Sequence, residues 1–209
     1  TLARAHGREG EALRVWRVVL ARDPSQDVAF QGLSSLLARL GRHAERAALI
    51  TERIDKVPAA QARRDALRLE LAGVRWYDLH DGAGAVDLLT ELGHGALDQG
   101  ATDLLESIWS EGVERSRVYR LLEPPYQAAG DWDKLVALYT STLEQDDPEL
   151  QIECLSKLAE LESVRLDKPE AAFTTLLALV ERLPDDSADA PRRLGELEDL
   201  ARRLSRWDE

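Results

Sequence analysis

Apolar residues recur at steps of three and four along nearly the whole chain. Phe30, Leu33, Leu37 and Leu40 form one set, Trp132, Leu135, Leu138, Tyr139 and Leu143 a second, and Ala172, Leu176, Leu179 and Leu183 a third. Each set draws one apolar stripe along an α-helix and leaves the charges on the opposite face. No run alternates β-branched and polar residues, so strands are not expected. The helices are short, because Asp23-Pro24, Gly41, Asp55 to Pro58, Asp81-Gly82, Gly130-Asp131, Asp147-Pro148, Asp167 to Pro169 and Pro184-Asp185 interrupt the stripes. Asp147 is placed to cap a helix that opens on Pro148. Asp167, with Glu170 three residues on, has the spacing of a capping box.

The spacing of these breaks carries more information than any one helix. Taking the turn before every second helix as a marker gives Gly7, Gly41, Asp81, Gly130, Asp167 and Ser205, at steps of 34, 40, 49, 37 and 38 residues. A pair of helices with its two turns fills about that length. The step of 49 leaves room for one more short helix near Thr102 to Ser110. One amphipathic hairpin cannot hide its stripe alone, whereas neighbours stacked about 8–10 Å apart share a continuous core. Small residues at Ala12, Ala47 and Ala172 let helices approach, and Trp16, Trp132 and Tyr139 are expected to fill the gaps. On that reading Trp132 is buried, and its loss costs about 3–5 kcal/mol.

Local sequences around the markers agree. Gly7-Arg-Glu-Gly-Glu-Ala-Leu-Arg-Val-Trp16 runs on to Pro24, Gly130-Asp-Trp-Asp-Lys-Leu-Val-Ala-Leu-Tyr139 to Pro148, and Asp167-Lys-Pro-Glu-Ala-Ala-Phe-Thr-Thr-Leu176 to Pro184. The closing Ser205-Arg-Trp-Asp-Glu209 echoes Gly130-Asp-Trp-Asp-Lys134. Tyr119, Leu122, Tyr126, Gly130, Leu135 and Tyr139, together with Phe30, Leu33, Leu37 and Gly41, resemble the tetratricopeptide repeat in its degenerate bacterial form. The glycines of Leu92-Gly-His-Gly95 break the register between Pro58 and Gly112. The resemblance implies an all-α chain, a right-handed superhelical solenoid of stacked antiparallel helix hairpins. Its approximate units are 1–24, 27–56, 59–98, 101–147, 148–184 and 189–209. The absence of methionine adds the expectation that this is an interior piece of a longer array.

Charge narrows the partners. The net charge is -12, but residues 1–64 hold 12 Lys and Arg against 7 Asp and Glu, and residues 65–209 hold 15 against 32. So acidic a segment repels a phosphate backbone, and nucleic acid is not an expected partner. No stretch reaches the roughly 18 apolar residues of a membrane helix. Arg39, Arg42, Arg46, Arg53, Arg63 and Arg64 form a basic region, read as a solvated face or, alternatively, as a dock for an acidic protein.

Candidate chemistry is sparse. His6, His43, His80 and His94 are read as polar turn residues that meet helix-end carbonyls, since stacked repeats would hold them too far apart for zinc. Cys154, between apolar neighbours, is read as an inert buried thiol. The acid pairs Asp146-Asp147 and Asp185-Asp186 sit beside prolines, where capping accounts for them. Phosphate loops, nucleophile elbows and zinc-protease motifs are missing, so neither catalysis nor a cofactor is expected.

In the resembled family the first helices of the hairpins line a groove that holds a peptide or helix. The Phe30 register directs Gln31, Ser35 and Arg39 toward it, and the Tyr119 register directs Arg117, Arg120 and Gln127. One known mode of that groove grips a carboxyl terminus with asparagines, and this chain has no asparagine. Arginine with acidic groups, or apolar contact, would serve instead. The role implied is a non-catalytic protein-interaction scaffold for a protein or peptide partner. The alternative is an architectural or regulatory arm attached to a catalytic or signalling domain.

Overall fold

The computed structural model describes residues 2–92, 97–184 and 187–204, with side chains from residue 9 onward. The Ser205 marker and the segment that follows it, His94 with its flanking glycines, the Asp185-Asp186 pair and the His6 side chain lie outside the described residues. Every regular element among the described residues is helical, and none of the helices is long and apolar enough to cross a membrane. The chain divides into two compact units, Thr1–Glu114 and Arg115–Glu209. The first holds α1 (Leu2–Arg22), α2 (Asp27–Arg39), α3 (His43–Lys56), α4 (Gln61–Gly73), α5 (Gly82–Leu92) and α6 (Gln99–Ser110). The second holds α7 (Arg115–Ala129), α8 (Trp132–Thr142), α9 (Pro148–Glu160), α10 (Pro169–Val180) and α11 (Ala190–Leu204). Within each unit every helix packs on the next one in sequence. Short connections make such neighbours antiparallel, so each unit is a series of helix hairpins. Helix α6 is the extra helix for which the long step leaves room.

Three turns share one geometry. Gly41, Gly112 and Gly130 take φ of 66°, 75° and 68°. Behind them Arg42 N donates to Leu37 O (2.9 Å), Val113 N to Ile108 O (3.4 Å) and Asp131 N to Tyr126 O (3.0 Å). These are Schellman closures, which need a left-handed residue that glycine adopts without steric cost. Gly7 behaves differently from the expectation: α1 runs straight through it. A glycine inside a helix lowers helix stability by only about 1 kcal/mol, so it ends a helix only where positive φ is required.

Helices α4 and α9 end in another way, each with one π-type turn, Val74–Asp78 and Leu161–Arg165. Leu79 N donates to Val74 O and Asp81 N to Arg75 O, and Leu166 N to Leu161 O and Lys168 N to Glu162 O. His80 and Asp167 then take φ of 54° and 48°. The two segments share a pattern, Leu71-Ala72, Val74 and Leu79 in one, Leu158-Ala159, Leu161 and Leu166 in the other. The left-handed backbone of Asp167 removes the expected capping box. Lys168 occupies the cap position of α10, and no side chain caps that helix. Asp147 does cap α9, accepting from Leu150 N at 3.1 Å with Pro148 in the first turn.

The stripes form the core. Phe30, Leu33 and Leu37 are buried, as are Tyr119, Leu122, Tyr126, Leu135 and Tyr139, which confirms both registers. Leu13, Leu33, Leu36 and Leu37 pack together with half-buried Trp16 alongside. Phe30, Ile50, Leu71 and Val74 continue that core, and Leu155, Ala172, Phe173, Leu176, Leu179 and Leu200 build its counterpart in the second unit. Trp132 is less deeply buried than expected. It is the first residue of α8, it is half-buried, and the Arg165 guanidinium lies 5.6 Å from its ring centre.

Candidate functional site

Alternate helices leave open hollows between them. In the first unit a hollow of about 530 Å³ lies between α2 and α4, and Gln31, Ser35 and Arg39 all line it together with Arg46, Arg63 and Glu70. These three predicted residues are exposed one turn apart on α2, opposite the stripe of Leu33 and Leu37. The guanidiniums around them are engaged within the unit. Arg39 donates to Glu9 (2.9 Å), Arg46 to Glu70 (2.9 Å) and Ser34 (3.1 Å), and Arg63 to Asp27.

In the basic region seen in the sequence, Arg39 and Arg63 are exposed, while the other arginines are held more closely by the fold. Arg42 pairs with Glu45, and Arg64 donates to Ala59 O. Arg53 is buried: its guanidinium donates to Pro24 O, Ser25 O and the Asp27 carboxylate and lies 5.2 Å from the Phe30 ring centre. It fastens the turn between α1 and α2 from α3. Sequence spacing shows a run of arginines but not which carbonyls the fold leaves for them.

In the second unit a hollow of about 480 Å³ opens between α7 and α9 above α8. Gln127 lines it. Arg120 is exposed on α7 and half-buried Arg117 is engaged by neighbours, and neither lines the hollow. Sequence reasoning missed Lys157, Arg165 and the open face of Trp132, which do line it. A second hollow of about 470 Å³ lies beside it between α9 and α11, and the two share Glu160 and Val164.

A polar network forms one wall of the first of these hollows. Lys157 Nζ donates to Glu123 (2.8 Å), Glu153 (2.7 Å) and the Tyr119 hydroxyl (3.1 Å), and Tyr139 donates to Glu123 at 2.8 Å. Gln127 also donates to Glu123, at 3.3 Å. The Tyr119 and Tyr139 rings meet edge to face, 6.0 Å between centres. Burial, followed by nearby acidic groups, pushes both phenols far above their ordinary value of 10.0. Burial opposes the charge on Lys157, but its bonds to Glu123 and Glu153 outweigh that and raise its pKa. Cys154, fully buried below, is pushed up to about 11 by burial, so its thiol is protonated and inert.

Positions 43 and 6 depart from the expected turn placement, whereas His80 keeps it. His43 opens α3, and its Nδ1 faces Asp78 at 3.0 Å rather than a helix-end carbonyl, while position 6 lies inside α1. His80 occupies the left-handed turn after α4. Among the described residues no three His, Cys, Asp or Glu side chains converge as metal ligands.

No protein-family model matches the chain, and no curated protein matches it. Among solved structures it is similar to a thermophilic TPR protein of Thermus thermophilus. The identity is 18%, the TM-score is 0.35, and the match covers 95% of this chain and 93% of that one.

Proposed function

We propose that the chain is a non-catalytic scaffold that holds a protein or peptide partner on the exposed faces of alternate helices. The observation that supports this most is the setting of Gln31, Ser35, Arg39 and Gln127. Each lines an open hollow bounded by rigid helices rather than a closed, water-excluded pocket with convergent reactive groups. Hollows of this size and openness receive side chains of an extended or helical segment. The titratable groups that burial perturbs most, Tyr119, Tyr139 and Cys154, have raised pKa values and keep their protons inside the fold. Arg117 and Arg120 complete the proposed partner-binding set as a rim on α7.

The test is affinity capture with the chain carrying Gln31→Ala, Ser35→Ala and Arg39→Ala together, and separately Gln127→Ala with Arg120→Ala. A partner retained by the unchanged protein and released by either set supports the scaffold. A retained partner indifferent to both sets contradicts this placement of the groove.

A further inference from the structure

The face formed by α7, α9 and α11 has a charge character opposite to that of its unit. Residues 115–209 hold 13 Lys and Arg against 21 Asp and Glu. Yet the two hollows on this face gather five of those cations, Lys157, Arg165, Arg192, Arg193 and Arg203, against four acids. Three of the four acids are already engaged: Glu123 by Lys157, Glu196 by Arg192 and Arg193, and Asp199 by Arg202. What remains open on the face is two guanidiniums, Arg165 and Arg203, against the single carboxylate of Glu160.

Arg165 differs from an ordinary surface arginine. It closes the π-type turn of α9, and its guanidinium lies over the Trp132 ring at 5.6 Å. Stacking on an aromatic face fixes the guanidinium plane while leaving its N–H edge free for a carboxylate. No carboxylate pairs with it among the described residues. Beside it Val164, 68% exposed, stands between the two hollows, and Leu135, Tyr139 and Leu161 line the floor of the first. A preset cation beside an exposed apolar residue and an apolar floor selects a segment that carries an acidic side chain next to an apolar one. The rest of the acidic unit repels such a segment, so the field guides it to this face.

We infer that the α7–α9–α11 face binds an acidic, apolar-containing segment of a partner protein. The acid lies on Arg165 above Trp132, and the apolar side chain lies against Val164. This rests on the scaffold reading and adds the partner's chemistry to it.

The experiment is selection of a phage-displayed random peptide library on the 209-residue chain, followed by fluorescence anisotropy of the selected peptides with the chain and its variants. Selected peptides should pair Asp or Glu with Leu, Ile or Phe. Arg165→Glu should weaken them on the order of tenfold, while Arg182→Glu, an exposed change in the turn after α10, leaves them unchanged. Added salt should weaken binding to the unchanged chain more than to the Arg165→Glu variant. Acidic peptides indifferent to Arg165→Glu overturn the inference. Basic or neutral peptides released by Arg165→Glu overturn the acidic chemistry and leave the scaffold reading standing. An empty selection, joined to an affinity capture in which the chain retains nothing, removes both.

Discussion

Single residues divide into those whose role is plain in the sequence and those whose role depends on a neighbour far along the chain. Tyr119, Leu122, Tyr126, Leu135 and Tyr139 declare themselves by spacing and are buried as that spacing requires. Trp132 fits the same stripe and is nevertheless only half-buried, because helical periodicity gives a direction but not how far the neighbouring helix extends. Gly32 shows the reverse case. It looks like a weak point in α2, yet a Cβ there would come within 2.9 Å of the Trp16 ring, so the missing side chain is what lets α1 and α2 meet. Gly32→Ala should therefore destabilise the first unit by about 1–3 kcal/mol despite its better helix propensity. A thermal melt checks this, and an unchanged or raised midpoint contradicts the contact. Cys154 gives a chemical test: with its pKa near 11 and no exposure, it should resist a thiol reagent at neutral pH and react on unfolding. Rapid stoichiometric labelling of the native chain would contradict its placement.

At the scale of elements, helix existence was readable and helix ends were only partly so. Glycine turns at Gly41 and Gly130 and the Asp147-Pro148 start follow from local chemistry that the residues themselves carry. The π-type ends of α4 and α9 do not, because their signature is a longer-range hydrogen bond. It becomes visible only when Leu71 to Leu79 is laid beside Leu158 to Leu166. Two prolines, Pro124 and Pro125, sit inside α7 without ending it. They leave the Arg120 and Leu121 carbonyls without the usual amide donors, a cost the packing of Tyr119, Leu122 and Tyr126 offsets. Arg53 belongs to this scale as well, since it fastens the turn between two helices from a third. Arg53→Ala should cost about 2–3 kcal/mol, because two backbone carbonyls and Asp27 lose a charged donor. Chemical denaturation measures it, and Arg42→Ala, an exposed pair, should cost well under half as much.

For the molecule as a whole, the repeat spacing announced helix hairpins packed in series, and each unit is built that way. The hollows were legible only in part: Gln31, Ser35, Arg39 and Gln127 follow from helix phase, whereas Lys157 and Arg165 come from the following hairpin and need the packing itself. That packing has a consequence at high pH. Tyr119 and Tyr139 keep their protons in the fold, while the unfolded chain begins to release them near 10.0. Stability therefore falls as pH rises above that value. Lys157, raised above 10.5, contributes stability that is present below that value and lost as pH climbs through its folded pKa. Both effects have the same sign, so the urea midpoint should drop steeply above about pH 10, and Tyr139→Phe should flatten the drop. A level midpoint through that range would contradict the network.

Each hairpin of the second unit lies against the next, α9 against α7. Glu123 and Lys157 meet across that contact at 2.8 Å. A double-mutant cycle of Glu123→Gln and Lys157→Met measures it directly. Packed hairpins predict a coupling of about 1–3 kcal/mol between the two changes, and losses that add to within about 0.5 kcal/mol would contradict the contact and the account built on it.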